Sequence, residues 1–172
     1  MDDIHHWDGS EWTTTYLDIG TIFDIFFIDE NDGWVVDHYG KMFHYNGIGW
    51  AFHSDLVNFA SGNGELYFLN SSEGWYTNCV NNLVSSYVYH YDGSSWSRYE
   101  DDDYPINRVT RIQEVSASNV WAVGYSGLIF NFDGERWNSV TSPTTDNIYG
   151  IFMVSNSDGW AVGSNGVILR YH

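Results

Sequence analysis

Tryptophan returns at a near-constant interval along this chain, and no other property limits its fold as sharply. Four turns carry an acidic or polar residue followed by Gly-Trp or Val-Trp: Asp32-Gly33-Trp34, Glu73-Gly74-Trp75, Asn119-Val120-Trp121 and Asp158-Gly159-Trp160. These tryptophans lie 41, 46 and 39 residues apart. A second mark runs in step with the first: an aromatic residue, then Asp or Asn, then Gly, with Trp three residues on. It stands at Trp7-Asp8-Gly9 with Trp12, Tyr45-Asn46-Gly47 with Trp50, Tyr91-Asp92-Gly93 with Trp96, and Phe132-Asp133-Gly134 with Trp137. These tryptophans are spaced by 38, 46 and 41 residues. Two marks with one period define a repeated supersecondary unit that buries its apolar surface against its neighbours.

Each copy reads as four strands, A to D in chain order. Strand A is a continuous apolar run in three copies, Ile22–Ile28, Leu66–Leu69 and Ile151–Val154. Such a run is expected of a strand covered on both faces. The third copy is more polar here, with Arg111, Gln113 and Glu114 around Ile112 and Val115. Strand B follows the first Trp, as in Trp121-Ala122-Val123-Gly124, and strand C is Leu128-Ile129-Phe130-Asn131-Phe132 and its counterparts. Gly124 to Gly127 and Gly163 to Gly166 mark B–C turns, where glycine is expected for its access to positive φ. The Asp-Gly or Asn-Gly before each strand D is a second hairpin signal. No sustained helical period with caps occurs, so essentially no α-helix is expected. The fold class is therefore all-β, a β-propeller of about four four-stranded blades.

The copies fall at 17–55, 56–104 and 105–147, with 1–16 joining 148–172 in one propeller domain over 1–172. The last copy ends in a C strand, Val167 to His172, and the N-terminus offers a D strand at Glu11–Tyr16. That D strand is expected to complete the last blade and so cover two edges. The count then gives four A, four B, four D and five C strands, one C strand too many. A chain that does not close alone is expected to be part of a longer array or to exchange strands in a dimer.

Charge removes some functions. Lys and Arg number 6 against 23 Asp and Glu, a formal net charge of −17. Such a surface repels phosphate backbones and anionic lipid, so no nucleic-acid partner is expected. No apolar run reaches the length of a membrane span, and the acidic start, Met1-Asp2-Asp3, is not followed by an apolar signal region; no membrane insertion is expected. The one cysteine, Cys79, excludes an intrachain disulfide.

The stretch Asn156-Ser157-Asp158-Gly159-Trp160-Ala161-Val162-Gly163-Ser164-Asn165-Gly166-Val167-Ile168, matched by Val120 to Ile129, resembles the repeat of bacterial extracytoplasmic propellers. These are proteins of the photosystem II assembly-factor type and the related neuraminidase-repeat, or Asp-box, type. The first two copies keep Gly-Trp and lose Ala-Val-Gly, and the full Asp-box order is not intact. The resemblance implies an exported binding or scaffold protein, extracellular, periplasmic or at the cell surface.

Enzyme chemistry finds little support. A sialidase clamps its carboxylate substrate with three arginines, whereas Arg98, Arg108, Arg111, Arg136 and Arg170 scatter over three repeats. Glycoside hydrolysis needs two facing carboxyls, and Asp24 and Glu65, near the inner strands, are the only pair to name for a glycan-directed hydrolase. The run Glu100 to Asp103 lacks the ordered spacing of a calcium loop and reads as a solvated turn before Pro105. His6, His44 and His90 share one repeat position with Asn131 and Arg170, which points to a structural slot. The longer B–C connection of the second copy, Asn78 to Tyr87, reads as a tolerated insertion. No cofactor, no metal and no catalytic residue is expected.

What remains is a binding surface. The D–A and B–C connections of a propeller gather at one rim, and Tyr16, Asp18, His38, Tyr39, His53, Asp101, Asp103, Tyr104 and Tyr125 fall on or near them. Tyrosines beside acidic groups suit hydrogen bonding and stacking on a protein or a carbohydrate. The expected function is a non-enzymatic binding or scaffold propeller, with a glycan-directed hydrolase and a purely structural propeller fragment as alternatives, in a monomer or a strand-exchanged dimer.

Overall fold

A computed structural model describes residues 3–56, 62–80, 86–99 and 108–172, without the side chains of 62, 63, 79, 80 and 86. The chain divides into two units, Met1–Ser61 and Gly62–His172. Both are all-β, built from antiparallel sheets.

The first unit holds a hairpin, β1 (Asp3–Trp7) and β2 (Trp12–Tyr16), and a sheet of β3 (Ile22–Asp29), β4 (Asp32–Asp37), β5 (Lys41–Tyr45) and β6 (Trp50–Asp55) in sequential order. Its core gathers Leu17, Ile19, Val35 and Phe43, with Ile4 of β1 and Trp50 packed against them. The second unit holds three sheets. The first is β7 (Gly62–Asn70), β8 (Glu73–Val80), β9 (Ser86–Tyr91) and β10 (Trp96–Arg98). The next is β11 (Val109–Ser116), β12 (Asn119–Gly124), β13 (Ile129–Phe132) and β14 (Trp137–Ser139). The last has three strands, β15 (Ile148–Ser155), β16 (Asp158–Gly163) and β17 (Ile168–Tyr171).

The A, B, C and D strands of the repeat are thus β3 to β6, β7 to β10 and β11 to β14, followed by A, B and C alone in β15 to β17 and preceded by C and D alone in β1 and β2. Closure of the last blade by the N-terminal D strand is not what the pairing shows. β2 ladders with β1, Trp12 opposite Trp7, and β17 ladders with β16 only. The Asp-Gly turn between β1 and β2 folds these two strands onto each other locally.

That turn is the same in every copy. The side chains of Asp8, Asn46, Asp92 and Asp133 each accept the backbone N–H groups two and three residues on, at 2.7–3.2 Å. The following glycine sits at φ +84° to +102°, a region an L side chain adopts at a cost. The backbone N–H groups of Ser95 and Arg136 lead the donors that hold the carboxyls of Asp92 and Asp133 down at about 2. In this way the turn chemistry sets the register that places Tyr45 opposite Trp50, Tyr91 opposite Trp96 and Phe132 opposite Trp137.

Within the second unit β11 is covered on both sides, by β7 and β8 on one and by β15 on the other. Trp75, Val88, Ile112, Val120, Phe130 and Trp137 form one buried cluster between the first two sheets of this unit. Val123, Ile148 and Ala161 form another between the last two. Double coverage does not extend to every A strand. Alternate residues of β3 are open, Phe23, Ile25 and Phe27, and Phe152 and Val154 of β15 are about two-thirds exposed. The outer face of β15 to β17 has no sheet of the second unit packed on it, so an apolar sequence run remains half in water there.

The polar residues of β11 have a structural use. The side-chain amide of Gln113 accepts the Met153 N–H at 2.6 Å and donates to the Met153 carbonyl at 3.2 Å. The Ile112 N–H donates to Glu65 at 2.9 Å, and Arg111 pairs with the same carboxylate at 3.4 Å. Glu65, named above as a hydrolase candidate, is committed to holding one sheet to the next.

Candidate functional site

The connections at the ends of the strands are tied together by a repeated hydrogen bond. The N–H just after strand B donates to the carbonyl just before strand A: His38 to Thr21 at 2.9 Å, Tyr125 to Arg108 at 3.0 Å, and Ser164 to Asn147 at 2.8 Å. D–A and B–C connections therefore share one end within each unit. The glycines that close the two Ala-Val-Gly strands serve this contact. Gly124 and Gly163 are extended, at φ −170° and −154°, not at positive φ as the sequence suggested. What excludes a side chain is room: a Cβ there would collide with the carbonyl oxygens of Arg108 and Asn147. Positive φ falls instead on Ser126, Gly127, Asn165 and Gly166.

In the first unit this end is organised by Asp37, a residue the sequence reading passed over. It is 1% exposed, and its carboxylate accepts three backbone N–H groups, from Gly20 at 2.9 Å and from Tyr39 and Lys41 at 2.8 Å. A charged group buried this deeply is stable because those donors replace water. Around it lie His38 and Tyr39, with ring centroids 3.6 Å apart, and Lys41, whose ammonium reaches the Asp18 carbonyl and carboxylate. Lys41 also lies 5.5 Å from the Phe43 ring and 6.0 Å from that of Phe52. The structure so brings Asp18, His38 and Tyr39 to one end. Tyr16 stands exposed at the end of β2.

His53 lies elsewhere, on β6, edge-on to Trp34 at 4.6 Å and next to His44. Burial, with the His44 charge adding, holds its imidazole below the usual histidine range. The slot inferred for His44 and His90 is real and has a partner at its mouth. His44 meets Asp32 at 2.8 Å and stacks on Trp34, and His90 meets Glu73 beside Trp75. Asn131 takes the same place with Asn119, and Arg170 with Asp158. The Asp, Glu or Asn that opens each B strand thus orients the polar residue of strand C over the B-strand tryptophan.

In the second unit the same end carries a denser polar surface. Asn147 is its hub: its Oδ1 accepts the Ser126 N–H at 3.0 Å, its side-chain amide donates to the Tyr149 hydroxyl at 2.9 Å, and its N–H donates to Ser164 Oγ at 3.1 Å. Asn165 donates to Asp146 at 2.8 Å. The Tyr125 ring meets that of Tyr149 edge-on at 6.2 Å. Of this group the sequence pointed to Tyr125 alone. Tyr149 and Asn147 flank the start of an apolar strand and carried no repeat mark. Asp101, Asp103 and Tyr104 lie outside the described residues, as do residues 81–85 of the longer connection of the second copy.

Chemically these ends offer amide, hydroxyl and carboxylate groups beside aromatic rings. Among the described residues no group of three or more His, Cys, Asp or Glu could hold a metal ion.

No family model matches the chain, and no curated protein matches it. Solved structures do. A structure of YCF48 bound to D1 peptide superposes with a TM-score of 0.67 at 20% identity, over 99% of this chain and 56% of that one. The WD40 β-propeller domain of Doa1 gives 0.65 at 13% identity, over 88% and 50%. BamB from Moraxella catarrhalis gives 0.58 at 9% identity, over 84% and 41%. The chain spans about half the length of these structures. At such identities the likeness shows the fold, that of a β-propeller.

Proposed function

We propose that the chain is a non-enzymatic binding propeller that takes a protein segment at the end formed by its D–A and B–C connections. The Tyr125–Tyr149 pair braced by Asn147 carries this reading. The exposed Tyr149 ring, its hydroxyl held by a backbone-anchored amide, and the partly buried Tyr125 ring edge-on to it give a partner rigid aromatic area and hydrogen bonds at small entropic cost. The similar structure of YCF48 bound to D1 peptide supports a protein over a carbohydrate. The net charge of −17 favours a segment with basic residues. A kinship with the photosystem II assembly-factor type of repeat, a place outside the cytoplasm, and one propeller domain over 1–172 belong to the same reading.

The test is an array of extended basic peptides, run beside a glycan array and a glycoside-hydrolysis screen. Peptides that bind wild type should lose about tenfold or more with Tyr125→Ala or Tyr149→Ala, the range of an aromatic anchor. Binding indifferent to both substitutions, glycan binding alone, or turnover of a glycoside contradicts the proposal.

A further inference from the structure

The two junctions between sheets in the second unit are built from equivalent residues, with one exception. In the first, Trp75 and Val88 face Ile112, Val120, Ala122 and Phe130, and Trp137 of the D strand closes the cluster. Its ring stands 5.4 Å from Trp75 and 5.5 Å from Phe132. In the second, Trp121 and Ile129 take the places of Trp75 and Val88, while Ile151, Gly159, Ala161 and Leu169 take those of Ile112, Val120, Ala122 and Phe130. Trp121 meets Tyr171 at 4.8 Å as Trp75 meets Phe132 at 5.2 Å. Nothing in β15 to β17 corresponds to Trp137. At that point lies a cavity of about 370 Å³ lined by Trp121, Ile151, Met153, Ala161, Leu169 and Tyr171. An apolar cavity of about 150 Å³ already admits a benzene ring. Beside it runs the outer edge of β17, which pairs with no other strand of the second unit among the described residues, whereas β13 is covered by β14 in the register Phe132 opposite Trp137.

A strand with the missing features exists in the chain. β2 begins with a Trp three residues after Asp8-Gly9, as β14 begins with Trp137 after Asp133-Gly134. Trp12 is 66% exposed and Tyr16 68%. We propose that the cavity is a socket for Trp12 of a second copy of this chain, whose β2 pairs antiparallel with β17, Trp12 opposite Tyr171. β17 then takes the place that β1 holds in the hairpin. The backbone ladder given up is replaced by one of the same kind, while an exposed indole enters an apolar socket and a free edge is covered. Done reciprocally, the exchange gives a closed two-fold dimer. Because each copy carries −17, added salt strengthens the association.

Sedimentation equilibrium of the full chain reads this directly. Wild type should approach twice 19.8 kDa with rising concentration, and more readily at 0.5 M salt. Trp12→Ala should be monomeric, and so should Ala161→Trp, which fills the socket from within. An equimolar mixture of those two variants should restore a dimer, since one retains the socket and the other the strand. If Ala161→Trp does not fold by circular dichroism, Trp12→Phe and Trp12→Thr replace it: phenylalanine should keep the dimer and threonine lose it. A wild type monomeric at every concentration, including one whose Trp12 is protected within a single chain, overturns the proposal, as does a dimer unchanged by Trp12→Ala.

Discussion

Glu114 shows how far one residue can depart from its neighbours' logic. It is 2% exposed, on β11, and the one group that favours its charged form is the Trp75 indole N–H, which is too weakly placed to offset burial. Burial pushes its carboxyl up to about 8, and the Glu73 charge adds to the shift. The folded chain therefore keeps this proton over a range where the unfolded chain, near 4.5, has lost it. Its contribution to stability is full below about pH 4.5 and is lost as pH rises toward about 8. Urea unfolding of wild type and Glu114→Gln at pH 5 and pH 8 checks this. Wild type should weaken relative to the variant by a few kcal/mol across that window, in order of magnitude. Equal pH slopes in the two proteins contradict it. Asp92 and Asp133, whose carboxyls are lowered to about 2, act in the opposite sense and only in acid, where their turns loosen.

At the scale of the element, hairpin chemistry and packing room divide the work. The Asx turn before each D strand acts through φ and side-chain acceptors, and the end of each Ala-Val-Gly strand acts through close approach. Gly124→Ala tests the second. Its methyl meets the Arg108 carbonyl, which the Tyr125 N–H already holds, so the strand or the connection must shift. A loss of about 1–3 kcal/mol in urea unfolding is expected, the range of overpacking; an unchanged midpoint contradicts the contact. The contrast explains what could be read beforehand. The five C strands, the four each of A, B and D, and the histidine slot were all legible, because each is set by local residues at a fixed offset. Of the B–C turn glycines, Gly127 and Gly166 sit at positive φ as the sequence implies, while Gly124 and Gly163 have another cause, since a carbonyl pressed against a Cα leaves no mark in the sequence. Asp37 and Asn147 were missed for a related reason. Each reaches a backbone N–H of another connection, Gly20 for Asp37 and Ser126 for Asn147, and a backbone donor leaves no mark on residue type. Gln113 was visible only as a polar residue in the third A strand, and Glu65 only as one carboxyl of a hydrolase pair. They turned out to bind the backbone of the neighbouring sheet.

For the whole molecule, the sequence period and the sheets coincide in three copies, each one four-stranded antiparallel sheet, while the fourth copy falls into β1–β2 and β15–β17; in the second unit the B-strand tryptophans of the first two sheets lie between that sheet and the next. Which surfaces of the last sheet are covered was not legible, because a repeat states what each copy contains and not what lies beyond its outer face. The central claim, that Trp75, Trp121 and Trp137 are wedges between sheets, is tested most directly by hydrogen exchange of the indole N–H groups, followed by NMR. Trp75, Trp121 and Trp137 have buried indole nitrogens, while Trp7 is half exposed. The three buried indoles should exchange about a hundredfold or more slower than that of Trp7, since their N–H groups meet water only when sheets part. Exchange of Trp75, Trp121 and Trp137 as fast as that of Trp7 contradicts the account.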